Sequence, residues 1–479
     1  MPRQNVVLCV AGLLFFVAAA GHAAAADAGA PAEKPLLVKA KGKPDSPWKE
    51  YPTRTVDLLP GFKPGAPNVA LSKYGGRTDR KADVTGFFHV RKVGDRWWLV
   101  DPEGCLFIHV GVCSIGPGSS AAMKTALKDK FGDTATWADA ATRLLWDNGF
   151  NGAGAWGDAA RLRAAPRPVA YTLMWNFMST FGKRKGLTSR QPGHTGYVND
   201  CIPVFDPEFP AFCDEHAKAL AATKDDPWLL GHFSDNEMPG SKNLLDKFLA
   251  LDAAQPSQAP GRRAAEQWLA RRKGAGASAK DISDEDRDAW RGHVFETYFE
   301  ITTKAIRKYD PNHLCLGSRL HSSEKTSPAT FRGAGKHLDA IAVNYYGAWT
   351  PDAQTLANWT AWSGRPAIIT EWYTKGADTP LRNSTGAGWI VPTQNDRGLF
   401  YENYTLALLE SKTVVGWHWF KYMDNDPEDL STDPSNRDSN KGLVNIRYEP
   451  YTPLLEHMRR LNRNVYALTD HFDSRKGKP

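Results

Sequence analysis

The spacing of apolar and polar positions divides the chain into two regimes. Over residues 85–112 β-rich apolar runs are separated by turn signals. "TGFFHVRKVGDRWWLVDPEGCLFIHVGV" (85–112) predicts a hairpin, Phe87–Val93 with Arg96–Val100 joined at "GD", then a turn at "DPEG" feeding a strand over Leu106–Val112. Beyond it, short apolar runs alternate with amphipathic ones. The runs at 106–112, 150–156, 168–175, 229–237, 314–319, 340–346, 366–372 and 414–422 predict strands. Between them "WADAATRLLWDNG" (137–149), "FPAFCDEHAKALAATKDD" (209–226), "RGHVFETYFEITTKAIRKYD" (291–310) and "NDRGLFYENYTLALLESK" (395–412) carry helical spacing. Strands alternating with helices imply parallel βα units. Eight of them imply the α/β class and a (β/α)8 TIM barrel with a short N-terminal β-hairpin extension. An open doubly wound sheet is the alternative that the same alternation allows.

The remaining boundaries follow from composition. Residues 1–26 have the form of an export signal: Arg3, the apolar stretch 6–21, and small residues offering cleavage between Ala23 and Ala26. No later stretch reaches the ~20 continuous apolar residues of a membrane helix. The expectation is a secreted or periplasmic protein without a membrane partner. Residues 27–84, rich in Pro, Lys and Gly, read as a linker or extended segment, 85–468 as the hairpin and barrel, and 469–479 as a tail. The Ala/Gly/Arg-rich stretch 252–290 reads as an excursion with its own helices.

Charge and cysteines narrow the function classes. Lys and Arg number 60 against 53 Asp and Glu, giving +7, or +6 once Arg3 is removed with the signal. The basic residues are scattered apart from "GKRKG" (182–186) and "RRK" (271–273), so no nucleic-acid partner is implied, and mild attraction to an anionic polysaccharide is the sharper reading. Cys105, Cys113, Cys201, Cys213 and Cys315 remain after cleavage, with no C-x-x-C or Cys/His cluster, so no metal site or cofactor is expected. Cys105 and Cys113 fall at opposite ends of one predicted strand, too far apart for a disulfide. Cys201 with Cys213 stays open. Asp424, Asp426 and Asp429 in the loop 423–442 read as a solvated acidic surface rather than a calcium site.

"GAGAWG" (152–157) fits the glycine pattern of a dinucleotide site. Yet "PVAYTLMWNF" follows where an acidic residue should close the next strand, and Trp156 occupies the place where backbone should approach phosphate. The glycines read instead as a sharp turn that aims Trp156 over the barrel mouth. No G-x-S-x-G, H-E-x-x-H or P-loop occurs.

The chemistry-bearing signal lies at two strand ends. "PWLLGHFSDNE" runs from an apolar strand into Asp235, Asn236 and Glu237, and "RPAIITEW" runs into Glu371 and Trp372. Carboxylates there are costly to desolvate unless used or paired. In a barrel these are strands four and seven, whose C-terminal ends share one opening. Two carboxylates facing one cleft suit glycosidic cleavage, one protonated to assist the leaving oxygen and one ionised to attack.

The Asn-Glu ending of strand four with the Glu ending of strand seven resembles the clan A retaining glycoside hydrolases. "GDRWWLVDPEG", "DPWLLGHFSDNE", "KYDPNHLCLGSR", "IITEWY" and "VVGWHWFKYMD" resemble the β-agarases of glycoside hydrolase family 50 and their neighbours, over roughly 85–465. The resemblance implies that Glu237 is the acid/base and Glu371 the nucleophile. It further implies that Asn236 bonds the sugar hydroxyl beside the anomeric carbon, and that the substrate is a β-linked galactan of agarose, porphyran or carrageenan type. Agarases of that family usually carry a sizeable N-terminal β-sandwich before the barrel, whereas about eighty residues precede the first barrel strand here. A β-glucan or mannan, or a non-catalytic carbohydrate-binding barrel, are the alternatives. Strand alternation puts Asn344 and Tyr346 on one face and Tyr345 on the other. Tyr346 is therefore the first candidate for steadying the nucleophile and Tyr345 the second. Trp419, Trp156 and Trp372 are candidate sugar platforms, and Arg319 a candidate for binding hydroxyl, carboxylate or sulfate.

Overall fold

The computed structural model describes residues 35–65 and 69–475. The expected export signal and the last residues of the expected tail lie outside them. Eight parallel strands form the central sheet: β1 (His109–Val112), β2 (Gly152–Ala153), β3 (Ala170–Met174), β4 (Leu229–Asn236), β5 (Leu314–Arg319), β6 (Ile341–Asn344), β7 (Ala367–Glu371) and β8 (Val414–Trp419). Their order is β5-β4-β3-β2-β1-β8-β7-β6. A parallel bridge between Leu320 and Val343 joins the two ends, with Leu320 N–H donating to Ala342 O and Asn344 N–H to Leu320 O. The sheet is thus a closed (β/α)8 barrel. Every strand falls within a run anticipated from periodicity, and the open sheet is excluded.

Two histidines fill part of the barrel interior. His109 Nδ1 lies 2.8 Å from His418 Nε2, and both rings are fully buried. Burial pushes the His109 imidazole down to about 4 and holds His418 well below its usual range, so the pair is neutral. A Cβ on Gly152 would meet the His109 ring at 2.0 Å, and one on Gly154 would meet His418 Nδ1 at 2.7 Å. Neither glycine has a positive φ. The glycines of "GAGAWG" therefore make room for imidazoles rather than a sharp turn. It is Trp156 itself that adopts φ 61°.

The outer layer is helical. α1 (Phe177–Arg184) follows β3, α2 (Asp284–Tyr309) precedes β5, and α3 (Gln394–Glu410) precedes β8. Both long helices begin in a capping box, Ser283 with Asp286 and Thr393 with Asp396. The excursion before α2 carries its own helix, Ala259–Lys273.

Within the expected linker or extended segment 27–84, the described residues form paired strands. Leu36–Ala40 and Lys49–Thr53 pair as a hairpin that docks through Lys41 on Ile390, and Arg77–Lys81 joins a four-stranded antiparallel sheet. Tyr51 stacks on Trp349, and Trp349 Nε1 donates to Thr53 Oγ1 (3.1 Å). Burying these aromatics is what orders a segment whose Pro and Lys content suggested none. The expected hairpin forms at His89–Val93 and Arg96–Val100. The strand expected over 106–112 splits at Ile108, so Cys105–Phe107 belongs to the antiparallel sheet and His109–Val112 to the barrel. The expected tail is helical to Ser474. Cys105, Cys113, Cys201, Cys213 and Cys315 are all free and buried, so Cys201 and Cys213 are not paired. Among the described residues no helix is long and apolar enough to cross a membrane.

Candidate active site

Strand β4 ends in three polar residues with three different tasks. Asp235 is fully buried and accepts from the N–H groups of Met178 (2.7 Å) and Ser179 (3.1 Å) at the start of α1, and from Tyr298 Oη (2.6 Å) on α2. Burial nevertheless pushes its carboxyl up to about 6. Asp235 is thus a clamp between helices, and the desolvation cost anticipated from the sequence is met there by three donors. Asn236 Oδ1 accepts from Arg319 Nε (2.9 Å), leaving its amide nitrogen free beside a cavity of about 270 Å³ that Asn236, Trp156, Asn176 and His194 line. Glu237 follows the strand at φ 47°, its N–H donating to Arg319 O. This left-handed backbone turns the side chain into the mouth, a conformation that costs a non-glycine residue about 1–3 kcal/mol and persists only where surroundings enforce it.

Glu371 closes β7 on the opposite side. Its Oε1 accepts from Tyr346 Oη at 2.7 Å, and its Oε2 lies 2.9 Å from Arg319 Nη2. That guanidinium nitrogen makes a close charge contact rather than a well-aimed hydrogen bond. Arg319 is fully buried, donates through Nη1 to Thr370 O (3.1 Å), and sits 4.0 Å from the Trp156 ring centroid. Burial pushes the Glu371 carboxyl up to about 7, Arg319 opposes this, and the nearby Glu237 adds to it.

One atom ties the two glutamates together. Asn344 Nδ2 lies 2.8 Å from Glu237 Oε1 and 3.3 Å from Glu371 Oε2, while its Oδ1 accepts from Thr370 Oγ1 at 2.9 Å. Those two carboxylate oxygens therefore cannot be more than 6.1 Å apart, the two distances laid end to end. Sequence alternation had put Asn344 on the inner face without giving it this bridging place. Its signal was a lone amide in an apolar strand.

Two anticipated sugar platforms and the second candidate for steadying the nucleophile fall elsewhere. Trp419 is fully buried with Nε1 donating to Lys441 O, and Trp372 is stacked on Tyr404 of α3 at 4.1 Å. Tyr345 packs edge-on to Trp359, and its carbonyl accepts from Tyr404 Oη. The reason is the period of two: with His418 and Glu371 facing inward, Trp419 and Trp372 must face α3. Trp156 is 41% exposed and does lie at the mouth.

Two acidic groups that might have held a metal are already engaged. His232, Asp310 and His313 cluster in the core, but the carboxylate joins both rings at 2.8 Å, Trp175 Nε1 donates to His232 Nδ1, and His313 Nε2 meets Asp226 O. These are hydrogen-bond contacts that leave no ring nitrogen over for a ligand set. Asp424, expected in a solvated loop, is buried and accepts from the N–H groups of Lys441 and Gly442 and from Tyr451 Oη.

Comparison with known proteins follows from this geometry. No family model matches the chain. The crystal structure of BpGH50 is 31% identical and superimposes with a TM-score of 0.81, covering 92% of this chain and 96% of its own. The agarase AgWH50C shares the fold at 22% identity, with a TM-score of 0.67 over 83% of this chain and 66% of its own. Among curated sequences, beta-agarase B of Vibrio sp. (strain JT0107) is 26% identical over 83% of this chain and 50% of its own length. Beta-agarase A of the same strain is 25% identical over 82% of this chain and 48% of its own. The chain thus spans about half the length of the curated relatives it matches.

Proposed function

The chain belongs to glycoside hydrolase family 50, and from that premise we propose that it is a retaining β-glycosidase acting on a galactan of agarose type. The observation that carries the mechanism is the Asn344 bridge. One oxygen of each carboxylate lies within 6.1 Å of the other, which favours the closely set pair of a retaining enzyme, about 5–5.5 Å apart, over the about 6.5–9.5 Å that inverting enzymes need for a water between the groups. Glu371 attacks the anomeric carbon while Glu237 protonates the departing oxygen, so the glycosidic C–O bond breaks as a glycosyl ester forms. Glu237, now a carboxylate, takes a proton from water. That water attacks the same carbon and the ester bond breaks, which restores both residues. Tyr346 and Arg319 hold the nucleophile in place, and Arg319 also orients Asn236 toward the sugar. The galactan reading is supported by relatives named beta-agarase, and export by Arg3 with the apolar stretch 6–21.

The test is product stereochemistry and rescue. NMR of the first-formed product should show the β anomer, and Glu371→Ala should lose several orders of magnitude in turnover, partly restored by azide. An initial α product, or near-normal turnover by Glu371→Ala, would remove the assignment. If a β-glucan or mannan is cleaved and no galactan is, the mechanism stands and the substrate class fails.

A further inference from the structure

Strands β6 and β7 slip in register where they reach the mouth. Val343 pairs with Ile369 and Asn344 with Glu371, so Thr370 is the extra residue of a β-bulge. A bulge re-aims the side chain it leaves unpaired. Here the Thr370 hydroxyl donates to Asn344 Oδ1 at 2.9 Å, and both residues are buried. On the other side of the same amide, Nδ2 meets three oxygens: Glu237 Oε1 (2.8 Å), Glu371 Oε2 (3.3 Å) and Asn236 Oδ1 (3.4 Å). The reverse orientation would set the amide oxygen against all three. The amide is therefore fixed with its N–H groups toward the glutamates.

An amide nitrogen donates and does not accept, whereas a protonated carboxyl has one O–H and one oxygen left to accept. Glu237 Oε1 is taken by the Asn344 donor, and Glu237 Oε2 makes no hydrogen bond among the described residues.

We infer that Asn344, oriented by Thr370, confines the acidic proton of Glu237 to Oε2 and so presents it to the leaving oxygen. Both are positioning residues that act through Glu237. The same donor also serves the change of charge. As the glycosyl ester forms, Glu371 gives up its negative charge and Glu237 acquires one. Nδ2 faces both carboxylates, so its bond to Glu237 becomes charge-assisted at that moment without any movement. The inference rests on the two-glutamate mechanism and deepens it by naming the oxygen that carries the proton and what keeps it there.

Leaving groups that differ in their need for a proton provide the test. Aryl β-glycosides of one galactan oligosaccharide are prepared with dinitrophenol, which departs as an anion, and with phenol, which must be protonated. Their kcat/KM values report the step in which the bond to the leaving group breaks. Wild type, Glu237→Ala, Asn344→Ala, Thr370→Val and Thr370→Ser are compared on both. Glu237→Ala should lose about 100-fold or more on the phenyl substrate and far less on the dinitrophenyl one. Asn344→Ala and Thr370→Val should show the same selectivity, losing about tenfold more on the phenyl substrate, the worth of one charge-assisted hydrogen bond. Thr370→Ser keeps the hydroxyl and should match wild type. Equal losses on the two substrates in Asn344→Ala and Thr370→Val would overturn the inference, because both residues would then act through Glu371 or through packing. It is equally overturned if Thr370→Val matches wild type, or if Thr370→Ser loses as much as Thr370→Val, since the hydroxyl would then orient nothing. Absence of a selective loss in Glu237→Ala itself would count against the two-glutamate mechanism instead, and the two failures are read from different variants.

Discussion

Replacing Tyr346 with Phe removes one oxygen and leaves the ring in place, so it isolates a single interaction on Glu371, the proposed nucleophile. The hydroxyl donates to Glu371 Oε1 at 2.7 Å, while Arg319 and Asn344 address the other oxygen. A hydrogen bond to a charged acceptor contributes about 1.5–3 kcal/mol. At 1.36 kcal/mol per pKa unit, its loss should raise the Glu371 carboxyl by about 1–2 units. The direction follows from the role: Tyr346 stabilises the ionised form, burial already holds the group up at about 7, and only the carboxylate attacks. The acidic limb of kcat/KM should therefore sit near pH 7 in the wild type and move to higher pH by those about 1–2 units in Tyr346→Phe. Well below the limb the variant should be slower by about 10- to 100-fold, with a smaller deficit on the plateau. Initial rates at substrate concentrations far below KM, across pH 5 to 10 with a thermal melt at each end, measure this. A uniform drop at all pH values, with the limb unmoved, would refute the argument that the hydroxyl acts through the charge state of Glu371.

Other substitutions check other parts of the site. Trp156→Ala should raise KM about two- to tenfold, from loss of an aromatic contact worth ~0.5–1.5 kcal/mol, with little change in kcat; an unchanged KM would take Trp156 out of the cleft. Asp235→Ala leaves two helix N–H groups and the Tyr298 hydroxyl without their buried acceptor and should destabilise by about 2–4 kcal/mol in a denaturant titration, whereas a surface-like effect below about 0.5 kcal/mol would contradict the clamp. Gly154→Ala drives a methyl into His418 and Cys113, at 2.7 and 2.9 Å, and should cost about 1–3 kcal/mol; a dinucleotide-type turn would instead be indifferent in stability and altered in ligand binding.

Periodicity in the sequence determined the eight parallel βα units, because each strand buried on both faces must be an uninterrupted apolar run, while closure into a barrel rather than an open sheet rests on the Leu320–Val343 bridge. The same patterns exposed Glu237 and Glu371, since a carboxylate at the end of an apolar strand stands out against its neighbours. They also gave the inward faces of Asn344 and Tyr346, because alternation is a local property. What alternation could not supply was the distance between strands. That Asn344 Nδ2 reaches both glutamates, and that Arg319 couples Asn236 to Glu371, depends on strands four to seven curving into one ring. Trp419 and Trp372 were misread because aromatic chemistry was weighed above the phase of the strand, which their inward neighbours His418 and Glu371 fix. The order in residues 36–53 was hidden for a different reason. Its strands are held by Trp349 and Ile390, some three hundred residues away, and no local pattern reports a partner that distant.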